Sequence, residues 1–152
     1  MKYFLICILI ISIFSSFKTG EGTAILTCKS ESRRSLFNAV LDEAVFLRTA
    51  ELTIDNSTMS FSATDEGHII FDADDKVFTM YLESTTPDKK TKFLRLWAIP
   101  SSFKKIFSED GPGSQFHHIY EFRARLESTE PRKGKEYNTP TIELVCTLDY
   151  QL

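Results

Sequence analysis

The chain has 152 residues, a formal net charge of −3, and a composition that is 42% hydrophobic and 26% charged. These values are typical of an ordinary folded domain, and they exclude a disordered, collagen-like or coiled-coil protein. At this length a second domain does not fit beside the first.

The first 20 residues differ in composition from the rest of the chain. Residues 3–14 are almost wholly apolar and follow a lysine, which is the layout of a secretory signal peptide. The run is too short to cross the ~30 Å of hydrocarbon in a bilayer, which argues against a membrane anchor. We therefore expect a signal peptide over residues 1–20 and a single secreted domain, with no membrane association, over residues 21–152.

The cysteines and one acceptor sequence agree with an extracellular location. Three cysteines are present, and Cys7 is removed if the signal peptide is cleaved. Cys28 and Cys146 then form an even pair, which in a secreted domain favours one disulfide; two separate buried thiols are the alternative. Residues 56–58, Asn-Ser-Thr, form a glycosylation acceptor sequence at Asn56.

Residues 30–48 carry apolar side chains at helical spacing, after a serine that can serve as N-cap. The apolar positions are Leu36, Phe37, Val40, Leu41, Ala44 and Leu47. This is the one long segment for which the sequence predicts a helix.

Strand patterns dominate after this segment. Residues 92–99 are apolar on both faces, as in a central strand, and residues 101–107 suggest one helical turn. Alternation is clearest over residues 116–126 and 142–152, each with one apolar and one polar face. The expected fold class is α+β: one N-terminal helix packed on a mainly antiparallel β-sheet of about six to seven strands, closed by one disulfide. A β-sandwich or β-barrel is the alternative.

Motifs for metal, phosphate or nucleophilic chemistry do not occur in the sequence. His117 and His118 are adjacent, so on a strand they point to opposite faces and cannot share one ion. There is no Gly-x-Ser-x-Gly elbow and no glycine-rich phosphate loop. We therefore expect no metal site and no cofactor.

The strongest catalytic candidate is the segment 117–125. On a strand, Glu121 and Arg123 share one face with His117. A carboxylate base, a cationic phosphate clamp and an imidazole acid are the groups needed to cleave RNA through its 2′-hydroxyl. A solvated Glu–Arg face is the commoner explanation of this pattern, and no histidine follows His118. We therefore expect a protein that is not an enzyme; as a ribonuclease it would use Glu121, Arg123 and either His117 or His118.

Basic clusters raise the question of nucleic-acid binding. They lie at residues 89–92, 104–105 and 132–135, in predicted loops or turns, and they are offset by an acidic total. A strongly basic face is the usual electrostatic footprint of nucleic-acid binding, so these clusters do not demand an RNA partner. The long linker over residues 127–138 is a candidate contact surface.

The order of features along the chain resembles that of the small secreted effectors of plant-pathogenic fungi. The shared features are a leader, an early cysteine, a helix, a β-rich body and a lone cysteine near the C-terminus. The nearest group is the ribonuclease-like effectors of powdery mildews, whose mature chains open on an aromatic-x-Cys motif. Here residues 26–28, Leu-Thr-Cys, stand in that place, with an aliphatic first residue.

A second likeness concerns the catalytic candidate. Residues 119–122, Ile-Tyr-Glu-Phe, resemble the Tyr-Glu-Phe strand of fungal guanyl-specific ribonucleases, with Glu121 at the position of the base. The late catalytic histidine of those enzymes has no counterpart here, so the resemblance implies a ribonuclease-derived shape without turnover. Residues 142–152 also resemble a strand of the Alt a 1-like secreted fungal proteins, which are β-barrels.

Together these features predict a secreted, non-catalytic effector, a virulence protein that binds a host protein or RNA and suppresses host defence. A host protein is the first expected partner and RNA the second, with uptake into host cells as an additional expectation. The alternatives are a secreted ribonuclease and an extracellular β-barrel with a binding or structural role.

Overall fold

The structure is a computed structural model, and it describes residues 22–85, 91–129, 131 and 138–152. The predicted signal peptide lies outside the described residues. So does most of the linker predicted over residues 127–138.

The described chain consists of ten β-strands and one 3-10 turn at Pro100–Ser102. The strands are β1 (Thr23–Lys29), β2 (Ser35–Asp42), β3 (Leu47–Ile54), β4 (Ser57–Ser62), β5 (Glu66–Asp72), β6 (Val77–Thr85), β7 (Thr91–Ala98), β8 (Lys104–Asp110), β9 (Phe116–Ser128) and β10 (Ile142–Gln151).

All ten strands belong to one antiparallel sheet, curled into a half-barrel. Its order is β4-β3-β2-β1-β10-β9-β7-β6-β5, and β8 branches from it by pairing with β9. One edge of β9 pairs with β10. The other edge is shared, because β7 pairs with residues 124–128 of β9 and β8 with residues 116–121. The 3-10 turn thus divides the segment that runs along this edge of β9 into two strands, β7 and β8.

Period-two alternation explains which face of the sheet holds the core. In β9, Tyr120 and Phe122 are buried on the inner face, whereas Glu121 and Arg123 are exposed on the outer face. Phe103, directly after the 3-10 turn, also points inward, and its ring stacks on that of Phe122 with centroids 5.0 Å apart. The interruption between β7 and β8 therefore supplies one more ring to the core.

The predicted N-terminal helix is wrong. Residues 30–48 contain β2 and the first residues of β3, joined by a turn. In β2 the inner positions Phe37 and Leu41 are fully buried, while Leu36 is exposed on the outer face. A strand with apolar residues on both faces also places them three and four apart, which is why the helical spacing was misleading.

The predicted fold class is therefore contradicted, because the described chain is nearly all β and has no helix packed on the sheet. The predicted count of about six to seven strands is also too low, since the described residues form ten. Of the alternatives, a β-barrel is only loosely compatible with this curled half-barrel, and a two-sheet sandwich does not describe a single sheet. The terminal strands β4 and β5 of the sheet do not pair with each other in the described chain. The ribonuclease-derived shape implied by the resemblance is not indicated by this architecture.

The predicted disulfide is confirmed. Cys28 and Cys146 are bonded to each other, both side chains are fully buried, and the two residues are direct partners in the ladder between β1 and β10. The bond therefore joins the first and last strands in the middle of the sheet.

Candidate binding surface

The predicted catalytic residues all lie on β9, but the two histidines are on different faces. His117 belongs to the outer face, where its Nε2 atom lies 2.9 Å from Oδ1 of Asp149. His118 belongs to the inner face, where its ring nitrogens lie 3.2 Å from a carboxylate oxygen of Asp110 and 3.2 Å from the hydroxyl of Tyr120. Each histidine therefore has its own partners and its own surroundings.

Glu121 and Arg123 are exposed on the outer face, some distance along the strand from His117. The guanidinium of Arg123 donates a hydrogen bond of 2.6 Å to Glu143, and Arg125 lies 3.9 Å from the same carboxylate. Four residues of extended strand, or about 13 Å, separate His117 from Glu121. The structure therefore does not bring the predicted acid and base of a ribonuclease together.

A different group of side chains forms a continuous patch on the outer face of β5, β6 and β7. The ladder places His68 opposite Tyr81, and Tyr81 opposite Arg95. Ile70 and Trp97 belong to the next row, one on each side of β6. These five side chains, which we call the aromatic–arginine surface, line an open groove of about 450 Å³.

Contacts within the aromatic–arginine surface hold its rings in place. The guanidinium carbon of Arg95 lies 5.0 Å from the ring centre of Trp97, and its Nη2 atom donates a hydrogen bond of 2.6 Å to Glu127 of β9. The ring of Tyr81 stacks on Phe93, with centroids 6.5 Å apart. Tyr81 and Trp97 are half-buried, so each presents one side to solvent while packing with the other. The patch therefore offers aromatic area in a fixed arrangement.

Hydrogen bonds also shift the pKa values of Glu127, beside the groove, and of Tyr81, which lines it. The hydroxyl of Thr141, and then the guanidinium of Arg95, hold the pKa of Glu127 below its ordinary value of 4.5. The hydrogen bond that Tyr81 donates to Glu83, together with burial, raises the pKa of the phenol. At neutral pH the surface therefore carries an ionised Glu127 and a neutral Tyr81 that donates a hydrogen bond.

Two arginines of this side of the sheet are paired with carboxylates. Arg95 pairs with Glu127, and Arg123 pairs with Glu143, each at 2.6 Å. Because both of these cations already have an anionic partner, this part of the outer face is not strongly basic. It is suited to a partner recognised by aromatic contacts and directed hydrogen bonds.

The sequence did not identify this surface. Residues 92–99 are apolar on both faces, which predicts a central strand and gives no sign that the face of Phe93 and Trp97 is open to solvent. Both are half-buried on the outer face, whereas Leu94 and Leu96 are fully buried. The available signal was Arg95, a charged residue midway between two aromatic residues at period two.

The remaining predicted features lie apart from this surface. Asn56 is exposed at the tip of the hairpin between β3 and β4. Of the basic clusters, Lys104 and Lys105 open β8, and Lys92 of β7 lies over the ring of Phe61 at 5.1 Å. Residues 89–90 and 132–135 lie outside the described residues.

The described residues contain neither a metal-binding cluster nor a membrane-spanning helix. No group of three or more His, Cys, Asp or Glu side chains in this part of the chain could hold a metal ion. Nor does the described part contain a helix long and apolar enough to cross a membrane.

Comparison of the chain with protein-family models, with curated proteins and with solved structures finds no match. Functional inference for this protein therefore depends on its own residues and their geometry.

Proposed function

We propose that this protein is a secreted, non-catalytic effector that binds a host protein through the aromatic–arginine surface and thereby suppresses host defence. The observation that carries the proposal is the juxtaposition of Trp97, Tyr81 and Arg95 around an open groove. The disulfide between Cys28 and Cys146 supports an extracellular route, because such bonds persist in oxidising compartments.

The composition of the patch favours a protein partner. Trp, Tyr and Arg are the residue types that contribute most to binding energy when they fill a pocket at the centre of an interface. Here the aromatic rings are already held by Phe93 and Arg95, so little side-chain entropy is lost when a partner binds. Ile70 adds an apolar side chain that is 61% exposed.

The charges of this side of the sheet argue against RNA as the first partner. Binding to a phosphate backbone relies on cations that are free to neutralise phosphates. Arg95 and Arg123 are each engaged by a carboxylate at 2.6 Å. An RNA would have to displace Glu127 or Glu143, or accept their negative charge nearby.

The spacing of the candidate residues on β9 supports the non-catalytic part of the proposal. Glu121 and His117 are about 13 Å apart along the strand, and His118 is on the other face. General acid–base cleavage needs both groups within hydrogen-bond reach of one substrate.

The proposal is tested with a pair of matched double variants. Arg95→Ala/Trp97→Ala removes the centre of the patch. Arg34→Ala/Phe46→Ala is the control, because Arg34 is also an exposed, carboxylate-paired arginine (2.7 Å from Asp55) and Phe46 is an exposed aromatic residue. Proteins are captured from host tissue with the wild type and both variants, and each captured protein is purified and titrated by calorimetry.

A host protein that uses this surface should bind the control as it binds the wild type, and bind Arg95→Ala/Trp97→Ala at least about tenfold more weakly. Captured proteins that bind all three forms equally would refute the proposed surface. RNA incubated with the wild type and with Glu121→Gln provides the second arm. Hydrolysis by the wild type that is lost in Glu121→Gln would replace the proposal with the ribonuclease alternative.

A further inference from the structure

β8 exposes one complete edge of the sheet. It pairs with β9 along one side, and no described strand pairs with its other side. All seven of its residues are exposed, including Ile106 (55%) and Phe107 (40%). An exposed edge with apolar side chains is a template on which another extended strand can pair.

One end of the sheet path, β4, differs from β8 in this respect. On β4, the carbonyl oxygen of Ser60 accepts a hydrogen bond from the ammonium group of Lys92, which also lies over the ring of Phe61. Asp65, between β4 and β5, is hydrogen-bonded to Ser84 of β6. These contacts cover part of the β4 edge with side chains of the same chain. On β8, by contrast, the side chains of Lys105, Phe107 and Asp110 all contact residues of β9.

The contacts of β8 with β9 assign its side chains to two faces. Lys104 is opposite Glu121 on the outer face, where the ring of Phe107 also lies 4.9 Å from that of His117. Lys105 lies over the ring of Tyr120 on the inner face, 5.7 Å from its centre. A bulge at residue 106 shifts the register by one residue. After it, Glu109 is therefore on the outer face and Asp110 on the inner face.

The order of charges along β8 is self-complementary. Two lysines begin the strand and two acidic residues end it, with Phe107 between them. Ile106, in the bulge, takes no pairing position of its own in β8. When two such strands pair antiparallel about Phe107 and the bulged residue is left out of the register, Lys104 of each copy is opposite Glu109 of the other on the outer face. Lys105 is then diagonal to Asp110 on the inner face, within reach of its long side chain. A parallel arrangement would instead place lysine beside lysine.

We infer that two copies of this protein associate through antiparallel pairing of their β8 edges. The interface is isologous, because the same strand contributes from each copy and residue pairs repeat across a two-fold axis. It extends the sheet of one copy into that of the next and leaves the aromatic–arginine surface of both copies free. The inference does not depend on the proposed function, since β8 and that surface share no residue.

Two charge variants and their mixture test the pairing. Lys104→Glu/Lys105→Glu makes the ends of β8 uniformly acidic, and Glu109→Lys/Asp110→Lys makes them uniformly basic. Each alone places like charges opposite each other, whereas an equimolar mixture restores opposite charges. Lys29→Glu/Arg33→Glu is the control, because it changes the net charge as much as the first variant does, at exposed positions away from β8.

The association state is measured by sedimentation velocity at low salt, up to about 1 mM, because an interface of a single strand pair is small. The wild type and the control should approach twice the mass of one chain as concentration rises. Each β8 variant should dimerise at least about tenfold more weakly, and their mixture should return to near the wild-type behaviour. Circular dichroism confirms that the variants are folded.

Two results would overturn the inference. One is a wild type that stays monomeric over the whole concentration range, whether or not β8 binds an extended segment of another protein. The other is a dimer that folded β8 variants form as readily as the wild type, since that dimer would use another surface.

Discussion

Cys28 and Cys146 are direct neighbours across two strands, with Cα atoms 4.0 Å apart, although 118 positions separate them in the chain. β1 and β10, which carry them, are the fourth and fifth strands of the nine-strand path. The disulfide therefore holds together the two halves of the sheet at the point where the first and last strands of the described residues meet.

Reduction of this disulfide should lower the free energy of unfolding by about 4–5 kcal/mol in the chain-entropy model, because it releases a loop of more than a hundred residues in the unfolded state. The measurement is urea unfolding of the oxidised and the reduced protein. Reduced wild type keeps both sulfur atoms in the core, so its comparison with Cys28→Ala/Cys146→Ala separates the cross-link from the loss of buried volume. Coincident unfolding curves with and without reductant would contradict the prediction.

Replacement of Phe103 by alanine should destabilise the protein by about 3–5 kcal/mol, as is usual when a buried aromatic ring is deleted. The ring contacts Phe122, Phe71 and Tyr120, with centroids 5.0, 6.4 and 5.5 Å away. The measurement is again urea unfolding. Phe46→Ala is the matched control, because Phe46 is 69% exposed and its loss should change the free energy of unfolding by no more than about 0.5 kcal/mol. Equal effects of the two substitutions would show that the 3-10 turn does not supply a core residue.

A strand of this sheet can be predicted from the sequence when one of its faces is polar. β9 and β10 do, so alternation identified both strands and their inward-facing residues. β2 is flanked by β1 and β3 and carries Leu36 and Val40 on its outer face. Its alternation of polar and apolar residues is therefore weak, and the apolar residues also match a helical spacing. β8 has exposed residues on both faces, so its sequence lacks the alternation of apolar and polar residues that marks a strand packed on a core.

The candidate surface was missed for a related reason. Tyr81 and Trp97 are half-buried on the outer side of strands whose inner side carries buried leucine and methionine, so both faces of these strands are rich in apolar residues. Which of two apolar faces points inward depends on the neighbouring strands, and β6 and β7 become neighbours of β5 and β9 only in the folded sheet.

Asp42 should be worth about 1 kcal/mol of stability, because it closes the turn that replaces the predicted helix. One oxygen of its side chain accepts hydrogen bonds from the backbone N–H groups of Ala44 and Phe46, both at 2.9 Å. Asp42→Ala removes both bonds, whereas Asp42→Asn retains an acceptor and should lose less. Chemical unfolding gives the values, and hydrogen exchange of the amides of residues 44 and 46 should accelerate in Asp42→Ala.

Glu43→Ala is the control for this turn. Its side chain is exposed, and the hydrogen bond it accepts from the hydroxyl of Tyr150 is to the backbone carbonyl, which the substitution leaves in place. A loss of stability in Glu43→Ala as large as in Asp42→Ala would mean that the side-chain oxygen of Asp42 is not what closes the turn.

Asn56 should carry a glycan when the protein passes through a eukaryotic secretory pathway. Asp55 and Asn56 form the two-residue connection of the β3–β4 hairpin, with φ angles of 47° and 66°. Asn is one of the few residues that adopt this left-handed conformation readily, and it points into solvent at the tip of the hairpin. The mass of the secreted protein before and after enzymatic deglycosylation measures the modification.

Two substitutions at Thr58 separate the acceptor sequence from the fold of the hairpin. Thr58→Ser keeps both the acceptor sequence and a hydroxyl near Oγ1 of Thr53, which now lies 3.0 Å from that of Thr58. Thr58→Ala abolishes the acceptor sequence, and Asn56→Gly removes the glycan while preserving a residue suited to positive φ. The glycan should therefore be present in the wild type and Thr58→Ser and absent from the other two. A secreted wild type of unmodified mass would show that exposure at the hairpin tip is not sufficient for modification here.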